Sequence, residues 1–574
     1  MLNSKSNHHR NKAHRPEKIL LALLPYWDPM IPPNGIATLK SFLQKNGYPV
    51  KTIDLVVEKK SLDFYNDYYN VLRKCIPENK WGNFKNIGHD LLQNHLMAHL
   101  KYQDERQYTE LVKTLVYHSF YVYVDISWIT RLNSLVDNFY SYLKRYFLDL
   151  LAREKPAIVG ITAYKCTLPA SLFALKLTRE KYPRIKTLLG GGIFSDTHAV
   201  GSPNFEALLK ETEPYIDKII VGQGELLFLN YLQGKLPGSQ RVYTRKDING
   251  EILDFSSMDI PDFSDFNIMN YPYLPATATS SCPFQCSFCN SKKYWGNFRI
   301  KNVTQTAAEM IKLYRRYGHQ LFFMTDALLN PVVTDLSTAL IESGVSLYYD
   351  TYFRVDKESS NIENTMHWRR GGLFRVRLGT ESGSQHVLDR MGKNITPQQI
   401  KAAVSALAYA GIKTTTYWVI GHPGETEDDF QSTLDLIEDL KNDTFQAECN
   451  PFLYHYSGQS HQDQWAANRI PLYPPGALDM LVFQSWTLDI EPSRKEAYHR
   501  MHRFEAHCRK LGIPNPYSLH EHYSADERWK KLHKNAAPSL LEFKNTGVYI
   551  DENKHIGQPV LARNNYKDNG DFGF

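Results

Sequence analysis

Three cysteines close together are the first place where this chain could do chemistry: Cys282, Cys286 and Cys289 stand in C-P-F-Q-C-S-F-C, a CxxxCxxC spacing. Three thiolates on one short loop can each take a separate iron of a cubane [4Fe–4S] cluster and leave the fourth iron open to an outside ligand. Zinc is the competing reading of the same thiols, but a closed zinc site needs a fourth ligand, and no histidine near the loop offers itself. The chain has 7 cysteines in all, an odd and sparse number that argues against a disulfide framework. Of the others, Cys449 lies near a strand end and is the better candidate for a function. Cys166, Cys75 and Cys508 read as packing.

The elements that must hold this loop alternate strand patterns with helical ones. ATATSS (276–281) runs directly into the first cysteine, followed by QLFFMTD (320–326), SLYYDTYF (346–353), FRVRLGTES (374–382), KTTTYWVIG (413–421) and TFQAECNPF (444–452). Helical periodicity falls at 304–317, 331–343, 397–410 and 427–441, so the region 276–453 predicts a partial (β/α)6 barrel. Barrels of this kind place their chemistry at the C-terminal ends of the strands, where the cysteine loop lies.

A second alternating series precedes it. KILLALLP (18–25), VKTIDLV (50–56), AIVGITAY (157–164), KTLLGGG (186–192) and KIIVGQGE (218–225) are strand-length apolar runs separated by helical stretches such as Ile36 to Lys45 and Ser171 to Lys181. The fold class is therefore α/β, with an N-terminal Rossmann-like, doubly wound parallel sheet over 18–253. Residues 61–155 are too long for a loop and carry Tyr and Leu at helical spacing, which predicts a helical insertion. Residues 1–17 read as a flexible basic tail, 254–275 as a linker, and 454–574 as a mainly helical or irregular region with a helix over 492–510. Each domain is expected to have a core of its own.

The length of 574 residues requires more than one domain, and 42% apolar with 13% aromatic residues is a folded composition. Against 61 acidic groups stand 67 Lys and Arg, a net +6 whose only local cluster is the tail, so no nucleic-acid partner is implied. No apolar run reaches the ~20 residues that cross a bilayer. A cytoplasmic protein with no membrane partner is the expectation.

The cysteine motif, with aromatic Phe288 before its last cysteine, resembles the radical S-adenosylmethionine (SAM) superfamily. The resemblance implies that SAM chelates the open iron and is cleaved to a 5′-deoxyadenosyl radical. It further implies that Phe288 lies near the adenine, Asp326 near the methionine moiety, Glu381 near the ribose or amino group, and Ile420 and Gly421 against the adenine. The upstream domain resembles the cobalamin-binding domain of one large radical SAM subfamily, through PPNGIATLKSFLQKNGYPVKTIDL (32–55), the LGGG turn (189–192) and the VGQGE turn (221–225). That resemblance implies cobalamin contacts at Gly190, Gly191, Gly192, Gly222, Gly224 and Glu225, since glycines let backbone approach a large planar ligand at the C-terminal edge of such a sheet. No D-x-H-x-x-G loop follows the first strand, so base-off cobalamin without a protein histidine on cobalt is expected, His198 being the nearest histidine to the glycine turn. A degenerate Rossmann domain that only scaffolds the barrel is the alternative.

Together these resemblances imply a cobalamin-dependent radical SAM C-methyltransferase acting on an unactivated carbon, supplied by an external one-electron reductant. A cyclase or rearrangement enzyme with the same cofactors is the alternative, and a cobalamin sensor or iron–sulfur electron carrier the alternative of another class. The substrate, a small molecule or peptide, is not identified by any motif. It should lie between the two cofactors, in a cavity walled by the 61–155 insertion and by Tyr454 to His461.

Overall fold

The computed structural model describes residues 17–26, 30–195, 198–456, 462–474, 476, 484–516 and 519–539. The expected tail and the end of the Tyr454 to His461 segment lie outside them.

The first sheet contains β1 (Ile19–Leu23), β2 (Val50–Asp54), β3 (Ile158–Thr162), β4 (Lys186–Gly190), β5 (Lys218–Ile220) and β6 (Val242–Tyr243) in the order β2-β1-β3-β4-β5-β6. All neighbours are parallel. The short last strand had no apolar signal of its own. Central β1 is buried at every position, because helices cover both faces of a parallel sheet. On one face lie α1 (Asn34–Lys45) and, later in the chain, the helix Gly224–Leu232; on the other lies the insertion.

The insertion is helical, as its periodicity predicts: α2 (Lys59–Cys75), α3 (Phe84–Lys101), α4 (Glu105–Phe120) and α5 (Ile126–Glu154). Asn83, Asp104 and Asp125 cap the last three through side-chain oxygens. Tyr68 and Tyr108 are core residues whose hydroxyls find a partner inside: His95 bonds Tyr68 at 2.9 Å through Nδ1 and Tyr108 at 2.7 Å through Nε2. After it come α6 (Leu168–Lys181), α7 (Pro203–Thr212) and α8 (Gly224–Leu232).

The linker is fastened to both halves. The Lys40 ammonium of α1, 3% exposed, lies 3.2 Å from Asp262 and 2.8 Å from Asp265. Lys51 of β2 reaches Asp265 at 2.7 Å, and Arg316 on the far side reaches Asp262 at 2.8 Å.

The second sheet is also all parallel, β7-β10-β11-β12-β13-β14, an open six-stranded barrel. Its strands are β7 (Leu274–Ala276), β10 (Leu321–Met324), β11 (Tyr348–Arg354), β12 (Leu373–Glu381), β13 (Lys413–Ile420) and β14 (Gln446–Pro451). Its helices are α9 (Ser291–Trp295), α10 (Val303–Tyr317), α11 (Val333–Glu342), α12 (Ile362–Arg370), α13 (Gln385–Arg390), α14 (Pro397–Tyr409) and α15 (Glu427–Asp439). The first strand ends earlier than expected. Asp326 accepts the Ala278 and Thr279 N–H groups, and β8 (Thr279–Ser280) then pairs antiparallel with β9 (Arg299–Ile300), so the cysteine loop is an excursion between the arms of a small hairpin.

The two halves do not have separate cores, contrary to the expectation. One buried apolar cluster runs from Leu20 and Ala22 of β1 through Tyr68 and Phe139 of the insertion to Leu274, Phe322 and Trp418 of the barrel. The C-terminal region supplies a hairpin, β15 (Arg469–Pro471) with β16 (Trp486–Leu488), and two helices, α16 (Arg494–Leu511) and α17 (Leu519–Leu532). Helix α16 covers β13 and β14, where Phe504 meets Trp418 with ring centroids 5.7 Å apart. Helix α17 closes the opposite end of the barrel from the cysteine loop, through Trp529 Nε1 to the Gly411 carbonyl at 3.1 Å and Asp526 to Lys413 at 2.5 Å. Cys449 belongs to this packing: it is fully buried, and burial holds its thiol well above the ordinary range, so its strand-end place gives it no reactive thiolate.

Candidate functional site

The cysteine loop is short, exposed at Pro283 to Gln285 and pinned from below. Cys286 is buried, Cys282 and Cys289 half-buried, and the Cys289 N–H closes a turn on the Cys286 carbonyl at 3.0 Å. Ser287 between them donates its N–H to the Met391 carbonyl at 2.8 Å and bonds His422 Nε2 through its hydroxyl at 2.9 Å. Ser281, one residue before Cys282, takes a left-handed φ of 71°, a conformation that costs about 1–3 kcal/mol and persists where surrounding bonds enforce it. Here its hydroxyl donates to the Gly296 carbonyl at 2.7 Å.

Burial raises the Cys282 thiol and the neighbouring Cys289 and Cys286 add to this, while Arg354 opposes it. Among the described residues no three His, Cys, Asp or Glu side chains converge as a single metal ion would require. A cubane asks for something else, since each thiolate takes a separate iron, and an all-thiolate donor set suits it.

Asp326 lies beside this loop, 1% exposed. Its Oδ1 accepts the Ala278 N–H at 2.9 Å together with that of Thr279, whereas its Oδ2 is buried without a partner. Burial outweighs those bonds and pushes its carboxyl up to about 7. Glu381 ends β12 with φ at 64°, where the ladder with β13 slips register, and Lys393 holds its Oε1 at 2.5 Å. Phe288 is half-buried on the loop. Ile420 is buried in the core, and Gly421 faces protein: a Cβ on it would come 2.2 Å from that of Ala497 on α16. The glycine at that position is accounted for by helix packing.

A cavity of about 1560 Å³ opens between the C-terminal edges of the two sheets. From the first sheet it takes Gly190, Gly191, Gly192, Gly222, Gly224 and Glu225; from the barrel it takes Thr277, Ser281, Asp326 and Tyr352. The structure thus brings together the whole predicted glycine set and Asp326, and leaves Cys282, Cys286, Cys289, Phe288, Glu381, Ile420 and Gly421 outside the lining. An apolar slot continues from it under α1 and α8, between Leu21, Leu188, Ile36 and Leu227. Built Cβ atoms at Gly222 and Gly224 meet nothing within 4 Å, whereas one at Gly191 would strike the Ala163 carbonyl at 2.5 Å. Glu225 is buried and its carboxyl is raised by that burial, with Arg299 across the cavity acting against it.

Two expectations about the walls fail. No described residue of the insertion or of the region after Phe452 lines this cavity. The insertion is occupied by its own core, and the described C-terminal elements cover the barrel's side and far end. His198 is fully buried, and no histidine lines the cavity among the described residues. Arg354, Lys393, Ser287 and His422 were missed by sequence reasoning; a basic residue ending SLYYDTYFR was the available signal for Arg354.

Residues 277–437 match the model of the Radical SAM superfamily. The chain is 27% identical over 317 residues to the anaerobic magnesium-protoporphyrin IX monomethyl ester cyclase of Rubrivivax gelatinosus, covering 50% of this chain and 55% of that one. It is 23% identical over 323 residues to the cobalamin-dependent radical SAM methyltransferase TokK of Streptomyces tokunonensis, covering 50% and 46%. The chain spans about half the length of these curated relatives. Among solved structures it resembles the radical SAM methyltransferase TsrM from Kitasatospora setae with cobalamin and a [4Fe–4S] cluster bound, at TM-score 0.51 and 14% identity over 84% of this chain and 85% of that one. Residues 277–437 thus match the radical SAM domain, which implies a [4Fe–4S] cluster and SAM. The chain shares with TsrM a fold that extends well beyond the barrel.

Proposed function

We propose that this chain is a cobalamin-dependent radical SAM C-methyltransferase acting on an unactivated carbon. The observation that carries the reading is the single cavity faced by the C-terminal edges of both sheets, with open glycine backbone at Gly222 and Gly224 on one side and the buried, unfilled Oδ2 of Asp326 on the other. Its volume exceeds the ~300–1,000 Å³ of ordinary small-molecule sites, and its apolar slot suits the tail of a large ligand. A relative described as a cobalamin-dependent methyltransferase supports the same reading.

When bound, the cluster and SAM supply hydrogen-atom abstraction and cobalamin a transferable methyl group. In this reading Cys282, Cys286 and Cys289 hold three irons, and Phe288 flanks the adenine. Asp326 Oδ2 would offer an acceptor to the amino group of SAM, and Lys393 holds Glu381 in an ion pair at the end of β12. Gly190 to Gly192 and Gly222 to Glu225 would hold cobalamin at the edge of the first sheet. The apolar walls exclude water. An external one-electron reductant and a cytoplasmic setting complete it.

The test is anaerobic reconstitution and mass spectrometry of SAM products with and without cobalamin. S-adenosylhomocysteine together with 5′-deoxyadenosine supports methyl transfer. 5′-Deoxyadenosine alone supports ring formation with the same cofactors, a second reading favoured by the match to the cyclase. Neither product overturns both.

A further inference from the structure

Arg354 is the last residue of β11, 7% exposed, and its guanidinium lies against a candidate cluster ligand: Nη1 is 3.4 Å from Cys286 Sγ. The same guanidinium lies over the Phe284 ring, its carbon 4.0 Å from the centroid, so Phe284 of the cysteine loop and Cys286 of the same loop hold it from two directions. Its backbone is fixed as firmly. The Arg354 N–H donates to Asn330 Oδ1 at 2.9 Å, its carbonyl accepts from Asn330 Nδ2 at 2.7 Å, and that same amide reaches Asp356 at 2.7 Å. A long side chain with this many restraints loses its rotamer freedom at folding, not at catalysis, and its charge arrives at one place.

We propose that Arg354 sets the reduction potential of the cluster by donating a charge-assisted hydrogen bond to the Cys286 thiolate. The inference rests on the reading that the three cysteines hold a [4Fe–4S] cluster. Reduction adds one electron from an external one-electron donor, taking the cluster from its 2+ to its 1+ state, with no proton and no bond made or broken. The added negative charge is delocalised onto the cluster and its thiolates. A buried cation at hydrogen-bond distance from one of those sulfurs stabilises the reduced state more than the oxidised one, since low polarity around the pair leaves their attraction little screened. The midpoint potential is thereby raised, and hydrogen bonds to cluster sulfurs are a recognised lever on it. Arg354 acts through Cys286 and is a positioning residue in this role.

The experiment is an EPR-monitored redox titration, with dithionite as donor and no SAM, of reconstituted full-length protein and of Arg354→Gln and Arg354→Lys. Iron and sulfide content is measured on each. Arg354→Gln should lower the midpoint potential at full cluster content, and Arg354→Lys should recover part of the fall. An unchanged midpoint in Arg354→Gln overturns the proposal. Should that variant not retain its cluster, the wild-type protein decides: with arginine labelled by ¹⁵N, the reduced cluster should show a weak ¹⁵N coupling in pulsed EPR, and its absence overturns the proposal equally. A wild-type protein that reconstitutes no cluster would instead refute the underlying reading.

Discussion

The hydroxyl of Ser287 and Nε2 of His422 lie 2.9 Å apart in a buried bond that ties the cysteine loop to the turn after β13. That turn is itself held: the Gly421 N–H donates to both oxygens of Glu425 at 3.1 Å, Glu425 accepts from Arg500 of α16 at 2.9 Å, and Trp465 meets the His422 ring with centroids 5.9 Å apart. Ser287→Ala should leave the chain folded but loosen the loop. Breaking one buried hydrogen bond costs about 1–3 kcal/mol, so reconstituted protein should release iron to a chelator faster than wild type. Equal release rates would show that the bond does not hold the loop.

Cys286→Ala should remove one of three irons' ligands and abolish 5′-deoxyadenosine formation, with Cys282→Ala and Cys289→Ala behaving alike. The check is iron content together with product by mass spectrometry. Full turnover in any one of the three would refute the assignment.

Glycine substitutions separate binding from folding. Gly224 opens α8 with empty space beside it, so Gly224→Leu should cost the fold little while weakening cobalamin binding at least tenfold, about 1.4 kcal/mol. Gly191 has φ at 105° and no room beside the Ala163 backbone, so Gly191→Ala should lower the melting temperature of the cobalamin-free protein. An absorbance titration and a melting curve on each variant are sufficient. Unweakened cobalamin binding in Gly224→Leu would remove that edge from the site.

Asp54 gives a pH signature. Burial raises its carboxyl from 3.8 to about 7 although the Tyr271 hydroxyl donates to it at 2.8 Å. A carboxyl raised in the fold binds its proton more tightly there than in the unfolded chain, so its contribution is fully present below about pH 4 and is lost as pH rises through about 7. Asp54→Asn should therefore narrow the difference in melting temperature between about pH 5 and about pH 8. Asp326 and Glu425, also at about 7, keep part of the slope. An unaltered difference would place the titration elsewhere.

Truncation after Phe452 tests what the C-terminal helices hold in place. Removing α16 takes Arg500 from Glu425 and uncovers Trp418, and removing α17 uncovers Phe445 and Lys413. The truncated chain should fail to assemble the cluster, as iron analysis would report; normal assembly would show that the barrel stands without these helices.

The strands were legible where their residues are buried on both sides. KTTTYWVIG reads as β13 nearly to the residue because helices cover it on one face and neighbouring side chains fill the other. β7 was misplaced because its end is set by Asp326, 47 to 48 residues downstream, capturing two N–H groups. The cysteines and the glycine turns could be read because their chemistry is local. Arg354 could not, because its partners Cys286 and Phe284 are 68 and 70 residues away and meet it only when the barrel closes. Gly421 shows the reverse: a real constraint in the sequence, whose visible cause in the structure is Ala497.

The linker's bonds to Lys40, Lys51 and Arg316 have a consequence for traffic. Lys40 is buried but Lys51 and Arg316 are 39% and 50% exposed, so these bonds only add to the apolar core that the two halves share, and it is that core which keeps them from swinging apart about this joint. The cavity then works as a vise with a fixed jaw width. Val200, Ile252 and Trp295 are exposed where they line it, so the face it offers to an incoming molecule is apolar at these three places.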